Sequence, residues 1–314
     1  MNAFSVGKGI TAILVARCVT LGLLDYDTLV SDIWPEFGTH GKEILTVRDL
    51  LGHRAGLPSF RQQQSLDIIF DWSAITRALA NETPWWSPGT AHGYHVNTFG
   101  FLIGEVLRRV THTSVGALLH NELSAPLNAD VLIGVPHRLH SRVAALQWTT
   151  ERSLATDTSD LSDELTMQMH AYSNPPNLSG SGIVNTPGWR SAEMPSTNTH
   201  ASARGVSRLY TPLATGINSL VSQQVLSTAC TEVSHDTDRI LGRTTRFGHG
   251  FQLPIPERGF GPHPEAFGHY GAGGSLGFAD PVAQVGFGYV MNQMGKGWQN
   301  ARNRALVDAL YECV

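Results

Sequence analysis

Apolar residues recur at helical spacing along the first two thirds of the chain, and strand-like alternation takes over in the last third. Phe4, Ile10, Ile13, Leu14, Val19 and Leu23 predict a helix over residues 4–24, with Gly22 as its stop. Thr46 reads as the N-cap of a short helix, TVRDLLGH, ended by Gly56 and Pro58. Helices are also predicted over 71–81, over 99–110 with a continuation through LLHNELSAPL, over 203–215, and over 301–314. Residues 84–94 are turn-rich and lead to Tyr94. Residues 149–202 are rich in Ser, Thr, Asn and Pro and poor in apolar periodicity, and read as long loops or an insertion. FGHGFQLPI, FGHYGAGGSLGFADP and QVGFGYVMNQM read as strands joined by turns, with Asp280-Pro281 as a turn. Helices first, strands late and a final helix imply an α+β fold, an antiparallel sheet packed by helices.

Composition narrows the function classes. The 314 residues are 41% hydrophobic and only 15% charged, enough for a sizeable core and the opposite of a disordered chain. The net charge of −4 has no basic runs, which argues against nucleic acid as a partner. The longest apolar stretch, Ile10 to Leu24, is interrupted by Arg17 and too short to span a bilayer. No signal-peptide pattern opens the chain, so the compartment is left open, cytoplasmic by default. Cys18, Cys230 and Cys313 are widely spaced and form neither a disulfide framework nor a zinc motif.

Three patterns are candidates for chemistry. Ser5 and Lys8 stand i, i+3 at a helix start, so hydroxyl and amine can meet on one face. A partly desolvated lysine can act as the base that a serine nucleophile needs. Gly273-Gly274-Ser275-Leu276-Gly277 matches G-x-S-x-G, but no histidine follows Ser275 to complete a triad in the required order. His92/His95 and His137/His140 are spaced i, i+3, yet neither pair carries further ligands in a metal-binding pattern, so no metal or cofactor is expected. His53 and Gly56 read as a structural turn, Trp85 and Trp86 as core or pocket wall, and Arg204 as an ion-pair partner.

The Ser5-x-x-Lys8 pattern does not stand alone. FSVGKG, LTVRDLLGHRAGLP, PGTAHGYHVNTFGFLIGEVLRRVT, SAPLNAD and FGHYGAGGSLGFADP follow one another in order. Over nearly its whole length the chain resembles the serine β-lactamase-like superfamily, in the class C-type branch that includes family VIII carboxylesterases and LACTB-related proteins. The resemblance implies a β-lactamase/transpeptidase-like fold, with one catalytic domain over 1–314. A helical part of roughly 25–200 would be inserted between the Ser5 helix and the strands and helix of roughly 203–314. It implies Ser5 as acylated nucleophile, Lys8 as its partner, and Tyr94 as general base or part of it. His269, Gly271 and Ala272 would flank the substrate, with the Ser5 and Ala272 N–H groups as oxyanion hole.

Two departures from the family pattern matter. Val96 stands where β-lactamases have Asn, with Asn97 one residue later, and His269 replaces a lysine; both favour ester over β-lactam substrates. The chain opens four residues before Ser5, where relatives carry a segment that supplies strands, so the sheet is expected to lack N-terminal strands and expose an edge. The expected activity is a serine hydrolase, a carboxylesterase acting on a small-molecule ester. The alternatives are an amide hydrolase, or a silent member with an assembly role, and a homo-oligomeric state is left open.

Overall fold

Residues 6–16 are all buried, so this stretch of the opening helix has no solvent face, and Lys8 and Thr11 are its polar side chains. This helix, α1 (Val6–Thr20), starts later and ends earlier than the 4–24 expected from periodicity. Phe4 takes a left-handed φ of 47° that no helix can propagate, and Gly22, at φ 70°, lets the Leu23 N–H turn back to the Cys18 carbonyl at 3.0 Å. The computed structural model describes residues 1–148 and 162–314.

The remaining helices in chain order are α2 (Val30–Ile33), α3 (Val47–Leu51), α4 (Trp72–Asn81), α5 (Thr98–Thr111) and α6 (Val115–Leu119). They are followed by α7 (Asp163–Ser173), α8 (Pro187–Ser191), α9 (Ala203–Thr215), α10 (Gln223–Ala229) and α11 (Ala301–Tyr311). Thr46 caps α3 through a reciprocal box: its hydroxyl accepts the Asp49 N–H, and the Asp49 carboxylate accepts the Thr46 N–H. The expected helices over 71–81 and 99–110 are α4 and α5, and the one over 203–215 is α9.

The strands are β1 (Val131–Leu132), β2 (His200–Ala201), β3 (Ser234–Thr237), β4 (Thr244–Phe247), β5 (Phe267–Tyr270), β6 (Leu276–Asp280) and β7 (Val285–Tyr289). All pairings are antiparallel: β1 with β2, β3 with β4, and β5 with β6 with β7. Gln252 bridges Phe247 on one side and Gly268 on the other, which carries the sheet from β4 to β5. Among the described residues β7 pairs with β6 alone. Helix α9 lies against this sheet where glycines leave room. A Cβ on Gly286 would sit 2.2 Å from the Thr211 nitrogen, and one on Gly288 2.3 Å from the Ala203 carbonyl. The largest apolar cluster runs from Ala3 to Met291 and joins α1, α5 and α9 to the sheet.

Several expectations need correction. Residues 149–161 lie outside the described residues, but 162–202 is not merely loop, since it holds α7, α8 and β2. Helix α7 buries only Met167 and Ala171, too few positions to leave a periodic signature. FGHGFQLPI is not one strand: β4 ends at Phe247, and Gly250, at φ 88°, reverses the chain before Gln252. The β3–β4 hairpin, built from polar SHDT and TTRF, was not expected at all. Arg204 is exposed and makes no ion pair among the described residues.

Candidate active site

Ser5 stands at the N-cap of α1 with a backbone of φ −68° and ψ −3°, and its side chain makes no capping bond, which leaves the hydroxyl uncommitted to the helix. One turn on, the Lys8 amine lies 3.1 Å from Ser5 Oγ. It also donates to the Val96 carbonyl at 2.6 Å and to the Ser196 carbonyl at 3.3 Å. Lys8 is fully buried and has no carboxylate partner among the described residues. Burial alone drives it well below the ordinary lysine value, because a desolvated ammonium loses its hydration. A neutral amine has two N–H donors and one lone pair. In that neutral form the two carbonyls, which can only accept, take both donors and leave the lone pair to the Ser5 hydroxyl; in the charged form the ammonium donates to Ser5 Oγ as well.

Tyr94 reaches the same point from the loop before α5. The Lys8 amine sits over its ring, 4.6 Å from the centroid. Its buried hydroxyl is close to Ser5 but outside bonding geometry. Burial pushes the phenol well above its ordinary value, with the Ser5 hydroxyl pulling the other way. An amine and a hydroxyl thus flank one serine, and burial disfavours the charged form of each.

His269, on β5, donates from Nδ1 to the Tyr270 carbonyl at 2.6 Å, which fixes the tautomer and leaves Nε2 as a bare acceptor. Nε2 is buried without a partner, and the ring centroid lies 6.0 Å from that of Tyr94. Burial first, and the Lys8 charge second, push this histidine down to about 3, so it is uncharged at neutral pH. Wholly buried, its side chain faces Tyr94 and the backbone of Gly9 rather than solvent.

After β5 the chain folds back over Ser5. The Gly271 N–H is spent on the Ser275 carbonyl at 2.7 Å. The Ser5 and Ala272 N–H groups donate to nothing among the described residues. A Cβ on Gly271 would lie 2.4 Å from the Ala3 carbonyl and 3.3 Å from the Ser5 nitrogen, so the β5–β6 turn rests directly on the approach to Ser5. Ser275 clamps this contact, donating to the Ala3 carbonyl at 2.7 Å. The serine of the G-x-S-x-G match is thus a buried brace.

Asn97 does not offer its amide to the site. Its Oδ1 accepts from the Thr197 hydroxyl at 2.9 Å and its Nδ2 donates to the Ala171 carbonyl at 3.2 Å. Val96 packs instead against an apolar cluster of Trp86, Tyr94, Met167, Ala171, Ile240 and Phe247. Trp85 lies outside that core, bonded to the Ser59 carbonyl at 3.0 Å and covered by Arg61. His92 and His95 are engaged by protein: His92 Nε2 meets Thr245 Oγ1 at 2.8 Å, and His95 Nε2 accepts the Leu57 N–H at 3.0 Å. His53 supports the same layer, its Nδ1 accepting the His95 N–H at 3.2 Å. Ser196 was not foreseen; beyond its carbonyl at Lys8, its hydroxyl donates to the Asn97 carbonyl at 2.8 Å and accepts the Gly100 N–H at 3.0 Å. Backbone carbonyls carry no sequence signal, and only three-dimensional placement reveals them.

Comparisons with known proteins show the fold and the family. Esterase/beta-lactamase LipL of Mycobacterium tuberculosis is 32% identical over 309 residues, covering 93% of this chain and 68% of LipL. The crystal structure of a family VIII carboxylesterase superposes with a TM-score of 0.91 at 35% identity, over 100% of this chain and 83% of that one. A penicillin-binding protein homologue from Caulobacter crescentus superposes with a TM-score of 0.89 at 36% identity, again over 100% and 83%. The family model described as Beta-lactamase matches residues 1–312, and the chain belongs to the β-lactamase family.

Proposed function

We propose that the protein is a serine hydrolase that cleaves small carboxylic esters through an acyl-Ser5 intermediate. The observation that carries this reading is the buried Lys8 amine, 3.1 Å from Ser5 Oγ, held by the Val96 and Ser196 carbonyls and without a carboxylate partner among the described residues. Ser5 Oγ attacks the ester carbonyl while its proton passes to Lys8, a step for which a placed base supplies about 10²–10⁴ in rate. Negative charge gathers on the carbonyl oxygen and is met by the free N–H groups of Ser5 and Ala272, worth about 10²–10³ in kcat for each donor. The alkoxide leaves with a proton from the Lys8–Tyr94 pair. Water then attacks the acyl-serine, giving up a proton to the same pair, and the acid departs with Ser5 restored. The catalytic unit is read as the whole of 1–314.

Ester rather than amide chemistry is supported by Val96, whose apolar side chain stands where a β-lactamase offers an amide to its substrate, and by His269 being uncharged. The names of the relatives span esterase and β-lactamase, and amide cleavage is the second reading. Intact-mass spectrometry after a fluorophosphonate probe tests the nucleophile. Stoichiometric labelling of the parent and none of Ser5→Ala is expected, and equal labelling of both refutes the assignment. A folded protein that takes no label would instead be the silent, assembly-type member. The ratio of kcat/KM for matched ester and amide substrates then separates the two hydrolytic readings.

A further inference from the structure

The β3–β4 turn carries a carboxylate that the reaction as described does not use. Asp238 is wholly buried. Its Oδ1 accepts N–H groups from Tyr94 at 3.0 Å, Ile240 at 2.9 Å and Leu241 at 2.9 Å. Its Oδ2 accepts the Thr245 hydroxyl at 3.2 Å, and that hydroxyl in turn accepts from His92 Nε2 at 2.8 Å. Ile240, Leu241 and Thr245 belong to the hairpin itself, and would account for an ordinary Asx turn. Tyr94 and His92 do not: they lie in the segment that delivers the phenol to Ser5. The Arg239 N–H adds a third tie, to the His92 carbonyl at 3.1 Å.

The same turn holds the walls around Tyr94. The Arg239 guanidinium covers the Trp86 ring at 5.3 Å and pairs with Glu164 on α7. Arg243 covers the Trp298 ring at 5.1 Å, and Trp298 packs on Tyr94 with centroids 4.9 Å apart. A buried carboxylate is costly unless it is well bonded. Here the nearest basic group is His92, 4.0 Å from Oδ2, and burial keeps that histidine below its ordinary value.

We propose that Asp238 is a positioning residue that anchors the backbone of Tyr94 and so sets the phenol against Ser5. The proposal rests on the reading of Ser5, Lys8 and Tyr94 as the reacting groups. It also places a fixed negative charge behind Tyr94. The other ionisable groups facing that tyrosine are Lys8 over its ring, His53 at 5.0 Å, His269 at 6.0 Å and Tyr172. Asp238 disfavours loss of the Tyr94 proton, so removing its charge moves the alkaline limb of kcat/KM, where that proton is lost, to lower pH.

The test compares Asp238→Asn, Asp238→Ala and Thr245→Val by steady-state ester hydrolysis across pH, with Tyr94→Phe as reference. Asn keeps an oxygen for the three N–H groups, so Asp238→Asn should hold kcat within about fivefold of the parent while its alkaline limb shifts down. Asp238→Ala frees Tyr94 and should lose about tenfold or more in kcat at little change in KM, since misplacement by about 1 Å can cost on the order of 10²-fold. Thr245→Val removes the bond to Asp238 Oδ2 and the link to His92 but leaves the three N–H groups on Oδ1, so it should hold kcat within about fivefold of the parent, well above Asp238→Ala. A parent-like kcat for Asp238→Ala, or an unmoved pH profile for Asp238→Asn, overturns the proposal; if Asp238→Ala does not fold, the Asp238→Asn profile decides. Full activity in Tyr94→Phe would instead refute the underlying assignment of Tyr94, a distinguishable result.

Discussion

Replacing Gly271 by alanine is the most searching single substitution in this protein. The residue has φ −120°, which alanine tolerates, so any effect must come from space rather than backbone conformation. The new Cβ would stand 2.2 Å from Ser275 Oγ and 2.4 Å from the Ala3 carbonyl oxygen. Both lie roughly 1 Å inside ordinary van der Waals contact. The serine hydroxyl can swing away, but the Ala3 carbonyl is tied to the Val6 N–H at 3.3 Å and cannot yield without carrying the start of α1. Relief therefore pushes the β5–β6 turn off Ser5 and separates the Ala272 N–H from the Ser5 N–H. Overpacking of this kind costs about 1–3 kcal/mol in stability, and loss of one oxyanion donor costs about 2.7–4 kcal/mol in the transition state. Gly271→Ala should fold with a lowered Tm and lose about 10²–10³ in kcat for a chromogenic ester. The double variant Gly271→Ala/Ser275→Ala removes the first clash and keeps the second, so it should stay equally impaired. Parent-like turnover in the double variant would refute the argument, because the contact with Ala3 would then not matter.

Lys8→Met keeps length and removes the lone pair; it should cut kcat by about 10²–10⁴, as expected for a lost general base, and abolish the acidic limb that the parent shows below the ordinary lysine value. A parent-like pH–rate profile in that variant would place the base elsewhere. Stability should fall in mild acid. Burial pushes His95 and His269 down to about 3 in the fold, so the unfolded chain binds their protons first as pH drops. Their stabilising contribution is full above about 6.5 and is lost at up to about 1.4 kcal/mol per pH unit each below it. Urea midpoints measured from pH 7.5 to 4.5 should decline steadily below 6.5, and a flat series would contradict the burial of these rings as neutral groups.

What could be read in advance divides by the range of the interaction. Ser5 and Lys8 were legible because i, i+3 on a helix is a local relation, and the Thr46–Asp49 box for the same reason. Tyr94, Gly271 and Ala272 became legible only through the ordered blocks of the family, since nothing local brings residue 94 or 271 to residue 5. The Val96 and Ser196 carbonyls that hold Lys8 were invisible, because any side chain could stand on those backbones. Asp238 sits in a polar hairpin whose alternation is masked by exposure, so neither the strands nor the anchor announced itself. Arg204 shows the opposite error: a basic residue on a helix invites an ion pair, but among the described residues it makes none, and the nearby Asp130 is paired with Arg142. QVGFGYVMNQM reads as a strand, but nothing in it tells that Gly286 and Gly288 are where α9 comes close to β7.

The all-round burial of α1 has a consequence for how the protein is made. A stretch with no solvent face has no shelter of its own while the chain is being synthesised. Its final contacts are remote: the clamp from Ser275 to Ala3 joins residues 272 positions apart. At about 5–20 residues per second, α1 waits roughly 15–50 s on the ribosome before β5 and β6 emerge. During that interval its buried stretch, with Lys8 and Thr11 as its polar side chains, lacks the partners that cover it in the fold. The turn that rests on Ser5 is translated late as well, so Ser5 meets Gly271 and Ala3 meets Ser275 only after some 270 residues have been made.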